Sequence, residues 1–289
     1  MKKTFSKIYL GIVFLILYIP IIVLVLFSFN SSSNTGSMTG LSLYWYRELF
    51  NSPDTFAALR NTLVLAVCAA VISTLIASAA AVGLGRMRSR RLRSAVVSVT
   101  NIPMMNPDIV TGISMMLLFV FVGTLLGFEE KLGFGTLLIA HVTFCLPYCF
   151  LSITPRVRQF DVSLREAAND LGCTPLQAFF RVELPSIMPG IVTGFIMAFT
   201  LSLDDFVISY FTSGSDFQTL PLLIYSMTKK EVKPDIYALS ALIIAAVTIL
   251  LILSNLSGAK EDRLRRKKAE AAARRERKRV RRAKKEMAE

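Results

Sequence analysis

The sequence predicts an all-α membrane protein of six transmembrane helices with both termini in the cytoplasm. Of the 289 residues, 53% are hydrophobic, and the mean hydropathy is +0.54, which is too apolar for a soluble domain. Several apolar runs approach the length of about 20 residues that a helix needs to cross a bilayer core. Basic residues concentrate in alternate loops, as expected for a chain that crosses the membrane repeatedly.

Each apolar run is predicted to be a helix, because backbone amides in lipid must find their hydrogen bonds within the segment. The first run extends from Ile8 to Phe29 and follows three lysines, so it resembles a secretory signal. The apolar core of a signal is about 7 to 15 residues long, and this run is longer, so we expect a retained helix. The six runs begin near Ile8, Asn61, Ala95, Gly135, Ile187 and Ile236.

The charge of the loops predicts the orientation of the helices. The segments 86–93 and 156–181 are basic, as are both termini, whereas 31–55 and 128–131 are nearly free of Lys and Arg. The last outer loop is an exception, because it contains Lys229, Lys230 and Lys233.

We expect three regions: a first helix with its outer loop (1–56), a core of five helices with a cytoplasmic loop at 160–185 (57–257), and a basic cytoplasmic tail (258–289).

The tail carries most of the net charge. From Lys260 to Glu289 it contains 15 Lys or Arg and 6 Asp or Glu, which accounts for +9 of the chain's +13. Such a tail could bind nucleic acid or anionic lipid, or it could simply reinforce the topology. We favour reinforcement of the topology, because basic residues are expected on the cytoplasmic side of a last helix.

The cysteines and the single histidine do not form a metal-binding pattern. Cys68, Cys145 and Cys149 lie in apolar runs, and Cys173 lies in a polar loop. His141 lies within an apolar run, so we expect a buried side chain with satisfied hydrogen bonds. No metal site is predicted.

The cytoplasmic loop between the fourth and fifth runs predicts two short helices. Ser163 and Glu166 have the spacing of a capping box, and Gly172 is placed to end the first helix in the left-handed conformation. Thr174 and Gln177 form a second capping box, with Pro175 at the first helical position. We expect Pro185 to end the second helix.

A narrow stripe of small and apolar residues runs along the first of these helices. Its members, Leu164, Ala167, Ala168 and Leu171, follow the helical repeat. A helix this short is unstable alone and needs a surface to lie against. That surface could belong to a partner protein or to the ends of the chain's own transmembrane helices.

The motif in this loop resembles the EAA signature of permeases of ATP-binding-cassette importers. Glu166-Ala-Ala is followed by Gly172 and then by Val182-x-Leu184-Pro185. The resemblance implies a type I (MetI-like) permease fold, in which Glu166, Ala167, Ala168 and Gly172 belong to a coupling helix that contacts an ATPase subunit.

The chain has no G-x-x-x-x-G-K-[ST] loop to hold nucleotide phosphates. We therefore expect that it is not an enzyme, that it binds no cofactor, and that ATP and Mg²⁺ are bound by a separate ATPase dimer.

Acidic residues lie within the predicted membrane segments. Asp108, Asp204 and Asp205 are each placed in the outer half, and the same segments hold no Lys or Arg. Charges inside a membrane usually mark a substrate or ion pathway, and paired carboxylates would favour a substrate with two or more ammonium groups. Alternatively, these acids cap broken helices or lie at the outer interface.

Aromatic residues form a second feature on the outer side, at Tyr44-Trp45-Tyr46. Their rings could cage alkylammonium groups through cation–π attraction. Trp and Tyr are also typical of membrane interfaces, and without further information the interfacial role is the better interpretation.

Longer stretches of sequence are similar to the C-subunit permeases of spermidine/putrescine importers, from about Leu41 to Leu256. The similarity is carried by Asn106-Pro-Asp-Ile-Val, His141-Val-Thr-Phe-Cys-Leu-Pro, Phe199-Thr-Leu-Ser-Leu-Asp-Asp and Leu220-Pro-Leu-Leu-Ile-Tyr-Ser-Met. It implies that Trp45, Asp108, Ser202, Asp204 and Asp205 line a polyamine pathway.

The same resemblance implies a multi-pass protein of the bacterial inner membrane. Its implied partners are a homologous second permease, an ATPase dimer, a periplasmic or extracellular polyamine-binding protein and membrane lipid, whereas nucleic acid is not an expected partner. Two alternatives stay open: an importer of the same architecture for another cation or organic solute, and an ion-coupled secondary transporter, which would need internal inverted repeats.

Overall fold

A computed structural model of the chain describes residues 2–32, 38–128, 132–229, 235–245 and 248–249. Within these ranges the regular structure is helical, apart from an isolated β-bridge between Asn30 and Leu41. The all-α fold class is therefore confirmed. The helices α1 to α12, in chain order, are Lys2–Ser28, Tyr44–Asn51, Pro53–Arg86, Arg90–Met105, Asp108–Leu126, Phe134–Arg158, Val162–Asp170, Pro175–Ala178, Leu184–Asp204, Val207–Thr212, Leu220–Thr228 and Asp235–Ala245.

Five helical stretches of the described chain are long and apolar enough to cross a membrane. They are Ser6–Ser28, Pro53–Arg86, Asp108–Leu126, Phe134–Arg158 and Pro175–Asp204. The sixth predicted helix, beginning near Ile236, coincides with the shorter α12. The count of six and the cytoplasmic placement of both termini stay predictions, and the tail at 258–289 lies outside the described residues.

The third predicted helix, beginning near Ala95, was placed wrongly. The chain forms α4 up to Met105, breaks at Asn106, and starts the membrane-length helix α5 at Asp108. Asn106 is extended, with φ −83° and ψ 141°, because a residue that precedes proline is sterically excluded from the helical region. Pro107 therefore separates the two helices, whereas Pro103 is accommodated inside α4.

The core consists of α3, α6 and α9, which approach one another closely through small residues. A Cβ added at Gly194 of α9 would lie 3.4 Å from the Cα of Cys149 on α6. Cys149 is fully buried and donates its thiol hydrogen to the Gly194 carbonyl at 3.3 Å, and Cys145 does the same to Ala198 at 3.5 Å. Small side chains permit such close backbone contact in membrane helices, where the lipid supplies no hydrophobic drive for association.

The apolar stretch of α1 lies outside this core, and its most apolar 18-residue window contains no buried residue. The helix is joined to the rest of the chain at its outer end, where Ser28 and the Tyr46 hydroxyl are 2.7 Å apart. A helix that is apolar all round and uncovered by its own chain is suited to a lipid environment.

Gly214, in the turn after α10, lies close to the backbone of Leu132 before α6, and substitution tests this contact. Its φ is +72°, and an added Cβ would lie 2.5 Å from the Leu132 carbonyl oxygen. Gly127 has the same φ, but its added Cβ would meet no atom within 4 Å. We expect Gly127→Ala to cost about 1–2 kcal/mol through backbone strain alone. Gly214→Ala should cost about 1–3 kcal/mol more, because the carbonyl must also move.

The measurement is the free energy of unfolding of the purified chain in detergent, followed by the fluorescence of its single tryptophan. Equal losses in the two variants would contradict the close approach of Gly214 to Leu132.

Candidate functional site

Asp205 lies at the break between α9 and α10, and its carboxylate closes the first turn of α10. It accepts hydrogen bonds from the backbone amides of Ile208, at 3.3 Å, and Ser209, at 2.8 Å. It also accepts from the Ser209 hydroxyl at 3.0 Å. A carboxylate at the start of a helix satisfies otherwise unpaired amides and interacts favourably with the helix dipole. This acid therefore caps a broken helix, which was one of the two interpretations of its position.

His141 of α6 completes the hydrogen bonding around this cap. Its Nδ1 is 2.7 Å from the hydroxyl of Ser202 on α9, and its Nε2 is 3.0 Å from the hydroxyl of Ser209 on α10. The same Nε2 is 3.4 Å from the Asp205 carboxylate, whose side chain is 7% exposed. His141, Ser202, Asp205 and Ser209, called here the outer network, thus join three helices.

One assignment of hydrogens satisfies every polar atom of the outer network with a neutral imidazole. Ser202 donates to Nδ1, Nε2–H donates to Ser209, and the Ser209 hydroxyl donates to Asp205. The expectation of a buried and satisfied histidine is therefore confirmed. Its place beside Asp205 could not be read from the sequence, in which the two residues are 64 positions apart.

The neighbouring carboxylate, Asp204, has a different environment. Its residue is exposed, and no ion pair to it occurs within the described ranges. The two adjacent acids therefore differ: Asp205 is held inside the protein, and Asp204 is left available.

Asp108 is the first residue of α5 and is also exposed. It lies one turn before Gly112, where an added Cβ would be 2.8 Å from a ring carbon of Phe211 on α10 and 3.5 Å from the Val207 carbonyl oxygen. Residues four apart share a helix face, so Asp108 lies on the side of α5 that packs against α10.

Trp45 belongs to a different part of the outer side. Its indole N–H donates to the carbonyl of Asn30 at 2.9 Å, and the side chain is buried. This bond holds α2 against the segment that follows α1. Among the five residues predicted for the pathway, Ser202 and Asp205 meet through His141, Asp204 adjoins Asp205 in the chain, and Asp108 lies on the helix that packs against α10. No contact between Trp45 and these acids is found in the described part of the chain.

The cytoplasmic loop forms the predicted hairpin of two short helices, α7 and α8, with one correction at its start. The cap of α7 is Asp161, whose carboxylate accepts from the Ser163 amide at 3.0 Å, so the predicted box of Ser163 and Glu166 was wrong. Asp caps a helix as well as Ser does, and its charge also suits the helix dipole. Hydrogen bonds from Ser163 hold the pKa of Asp161 below its ordinary value. The cap therefore weakens as the pH falls through that pKa.

The remaining turn signals of the hairpin are confirmed. Gly172 has φ +88°, and its amide bonds to the Asn169 carbonyl while the next amide bonds to Ala168, the pattern of a Schellman motif. Thr174 and Gln177 form the reciprocal box at 3.1 and 3.3 Å.

Pro185 does not end the second helix, contrary to prediction. A π-helical turn at Phe179–Glu183 joins α8 to α9, and Pro185 lies in the first turn of α9. In the π-helical turn the Leu184 amide donates to the Phe179 carbonyl, five residues back. The wider turn shifts the bonding just before the proline, which cannot donate and would clash with a carbonyl four residues earlier. The coupling hairpin, defined as residues 161–183, is therefore continuous with a membrane-spanning helix.

The coupling hairpin presents apolar side chains to the outside. Ala168 is buried, but Ala167 is exposed, and Leu171 and Leu176 are 87% and 70% exposed. Exposed apolar side chains that lie close together are typical of protein-binding surfaces.

No group of three or more His, Cys, Asp or Glu side chains that could hold a metal ion occurs in the described part of the chain.

The family of the chain follows from a family-model comparison. Residues 73–266, which include the end of α3, all of α6 and α9, the outer network and the coupling hairpin, match the model of the binding-protein-dependent transport system inner membrane component. The chain belongs to this family. It is therefore a multi-pass permease subunit of the bacterial inner membrane and not an enzyme, and an ion-coupled secondary transporter is no longer a competing interpretation.

Relatives of this inner membrane component include the putrescine transport system permease protein PotI of Escherichia coli K12. The two are 42% identical over 237 residues, which cover 82% of this chain and 84% of PotI. The spermidine/putrescine transport system permease protein PotC of Haemophilus influenzae is 40% identical over 248 residues, covering 86% of this chain and 94% of PotC. The resemblance to spermidine/putrescine permeases is thereby confirmed.

Solved structures show the same fold at low sequence identity. A chain of a bacterial ABC transporter for the acidic polysaccharide alginate has a TM-score of 0.69 and 16% identity, with 89% of this permease and 95% of that chain covered. A second alginate transporter structure, in complex with a pentasaccharide-bound periplasmic protein, has a TM-score of 0.67 and 15% identity, with 87% and 92% covered.

The outer network predicts how the chain responds to substitution of its histidine. His141→Leu removes the partner of both serines and leaves polar groups unpaired in the core, so we expect a loss of about 2–4 kcal/mol in the free energy of unfolding. His141→Gln keeps one donor and one acceptor and should cost less than half as much. Thermal unfolding in detergent measures both variants, and equal losses would show that the hydrogen bonds of His141 contribute little.

Proposed function

We propose that this chain forms, together with a homologous second permease, the pathway through which a polyamine crosses the inner membrane. The observation that carries the proposal is the pair of unlike carboxylates at the end of α9. The Asp205 side chain is buried and caps α10, while Asp204 beside it, the last residue of a membrane-length helix, is exposed. A charge inside a membrane faces a polar cavity or a partner rather than lipid.

The chemistry of the acids supports an oligoamine as the cargo. Asp204 adjoins the outer network, and the exposed Asp108 lies on the helix that packs against α10, so a flexible cation with several ammonium groups could contact both acids in turn. Charge-assisted hydrogen bonds from ammonium groups to carboxylates replace part of the hydration that the cation loses. The relatives PotI and PotC, named for putrescine and spermidine transport, support the same class of cargo.

The remaining pathway residues have supporting roles in this proposal. Ser202 orients His141, which in turn positions Asp205. Trp45 holds the outer helix α2 in place at the mouth, where its ring and that of Tyr44 are 5.1 Å apart.

The partners follow from the same proposal. A periplasmic or extracellular polyamine-binding protein delivers the cargo, and an ATPase dimer that binds ATP and Mg²⁺ contacts the coupling hairpin through Glu166, Ala167, Ala168 and the turn at Gly172. Lipid surrounds α1, and the basic tail at 258–289 reinforces the topology. ATP-driven closure of the two ATPases moves the hairpins and alternates access to the pathway.

Uptake of labelled spermidine by the complete complex in proteoliposomes tests the cargo and the role of Asp204. We expect Asp204→Asn to lower uptake about 10-fold or more at unchanged thermal stability, because a charge-assisted contact contributes about 1.5–3 kcal/mol and the side chain is exposed. Asp205→Asn should lower both uptake and stability, because its carboxylate also caps α10.

The matched control is Asp216→Asn, which removes an exposed acid from the loop after α10. Its uptake should equal that of the wild type. Wild-type complex that does not take up spermidine, or putrescine in parallel assays, would exclude polyamines and leave another cation or organic solute as the cargo.

Co-purification of the ATPase with tagged permease tests the coupling hairpin. Ala167→Arg places a bulky charge on the exposed face of α7, so we expect the retained ATPase to fall at least about 10-fold while the permease stays at its normal membrane level. Gln159→Arg makes the same change in charge at an exposed position just outside the hairpin and serves as the control. Full retention of the ATPase by Ala167→Arg would show that this face does not contact it.

A further inference from the structure

Glu183 is a buried carboxylate at the junction between the coupling hairpin and α9. It is the last residue of the π-helical turn, and its side chain is 5% exposed. It occupies the variable position of Val182-x-Leu184-Pro185 in the EAA signature, which assigns it no role, and it is not among the pathway residues. A carboxylate removed from water must be paired, because an isolated buried charge is strongly unfavourable.

Two arginines from different elements pair with Glu183. Arg86, the last residue of α3, lies 2.6 Å from the carboxylate, and Arg165 of α7 lies 3.6 Å from the same oxygen. The Arg86 guanidinium also lies over the ring of Phe179, 5.8 Å from its centre. These three charged residues, called here the ion cluster, connect α3, the hairpin and the start of α9.

The ion cluster borders an open cleft of about 460 Å³. The cleft is also lined by Val82 of α3, Val157 of α6, and Val162 and Asn169 of α7. Because the cleft separates α7 from the end of α3, close packing does not join these two elements here, and the ion pairs carry the connection.

The transmembrane helices are packed much more tightly at the same level. A Cβ added at Gly85 of α3 would lie 2.9 Å from a methyl group of Val157 on α6. One added at Gly190 of α9 would lie 2.7 Å from the Arg156 side chain on α6. The inner ends of α3, α6 and α9 therefore form a close-packed body, to which the hairpin is attached through the π-helical turn and the ion cluster.

We propose that Glu183 is the positioning residue that transmits movement of the coupling hairpin to the inner ends of α3 and α9. This inference rests on the proposed contact between the hairpin and the ATPase, but not on the identity of the cargo. Displacement of α7 moves Arg165. The Glu183 carboxylate, which pairs with both arginines, transmits this displacement to Arg86 and the close-packed ends of α3, α6 and α9. Without the carboxylate, the hairpin moves into the open cleft and the helices stay in place.

The test compares ATP hydrolysis with uptake of labelled spermidine by the complete complex in proteoliposomes. For Glu183→Gln we expect ATP hydrolysis within about twofold of wild type and uptake per ATP reduced about 10-fold. Arg86→Gln should have the same phenotype. Its side chain is half exposed, so this variant keeps the test available if Glu183→Gln does not fold. Arg86→Lys, which keeps the charge, should retain much of the uptake per ATP that Arg86→Gln loses.

Arg181→Gln is the matched control, because Arg181 is an exposed arginine of the same π-helical turn. Its uptake per ATP should be unchanged. The double variant Arg86→Gln/Glu183→Gln should lose no more than either single variant, since the two residues act through one interaction.

Spin labels at Arg88 and at Asn169, which is exposed on the cleft side of α7, report the distance between the end of α3 and the hairpin. We expect one narrow distance in the wild type and a broad distribution in Glu183→Gln. Unchanged uptake per ATP together with an unchanged distance would overturn the proposal. Loss of hydrolysis in proportion to uptake, with loss of ATPase from the purified complex, would also overturn it by assigning Glu183 to docking. A wild-type complex that retains its ATPase and shows the narrow distance, broadened in Glu183→Gln, but takes up no polyamine would refute the cargo alone.

Discussion

The structure depends on one constraint: a polar or charged group that leaves water inside a membrane protein must find its partner within the protein. Both charged centres of this permease obey it. At the outer end, Asp205 accepts two backbone amides and a hydroxyl and lies beside His141. At the inner end, Glu183 is paired with Arg86 and Arg165. Each centre joins three elements, so the groups that are costly to bury also define how the helices are arranged.

Between these centres the helices are held by contact rather than by charge. The residues at the crossing of α6 and α9 are small, and thiol hydrogens of Cys145 and Cys149 reach carbonyls of the facing helix. The permease therefore has a close-packed middle with a buried polar centre at either end. A transporter that alternates access needs such a division, because close-packed helices can move as one body while the contacts at their ends rearrange.

Local sequence signals predicted local structure well. The Schellman turn at Gly172, the box of Thr174 and Gln177, and the apolar helices depend on residues within a few positions of one another, so spacing alone identifies them. Errors arose where two local rules competed. Asp161 replaced Ser163 as the cap of α7, and a π-helical turn let the chain pass Pro185. Pro107 moved the third membrane helix to Asp108.

The sequence by itself determined the membrane environment, the helical class, the hairpin and the acidic residues at the end of α9, because composition, periodicity and short-range capping are properties of neighbouring residues. The tertiary structure decided which of two adjacent acids is buried as a helix cap and which is exposed, that His141 belongs to the same site, and that Glu183 pairs with arginines 97 and 18 positions away. These facts depend on how distant helices pack, and a residue's partners across such a contact leave no pattern in its own neighbourhood of the sequence.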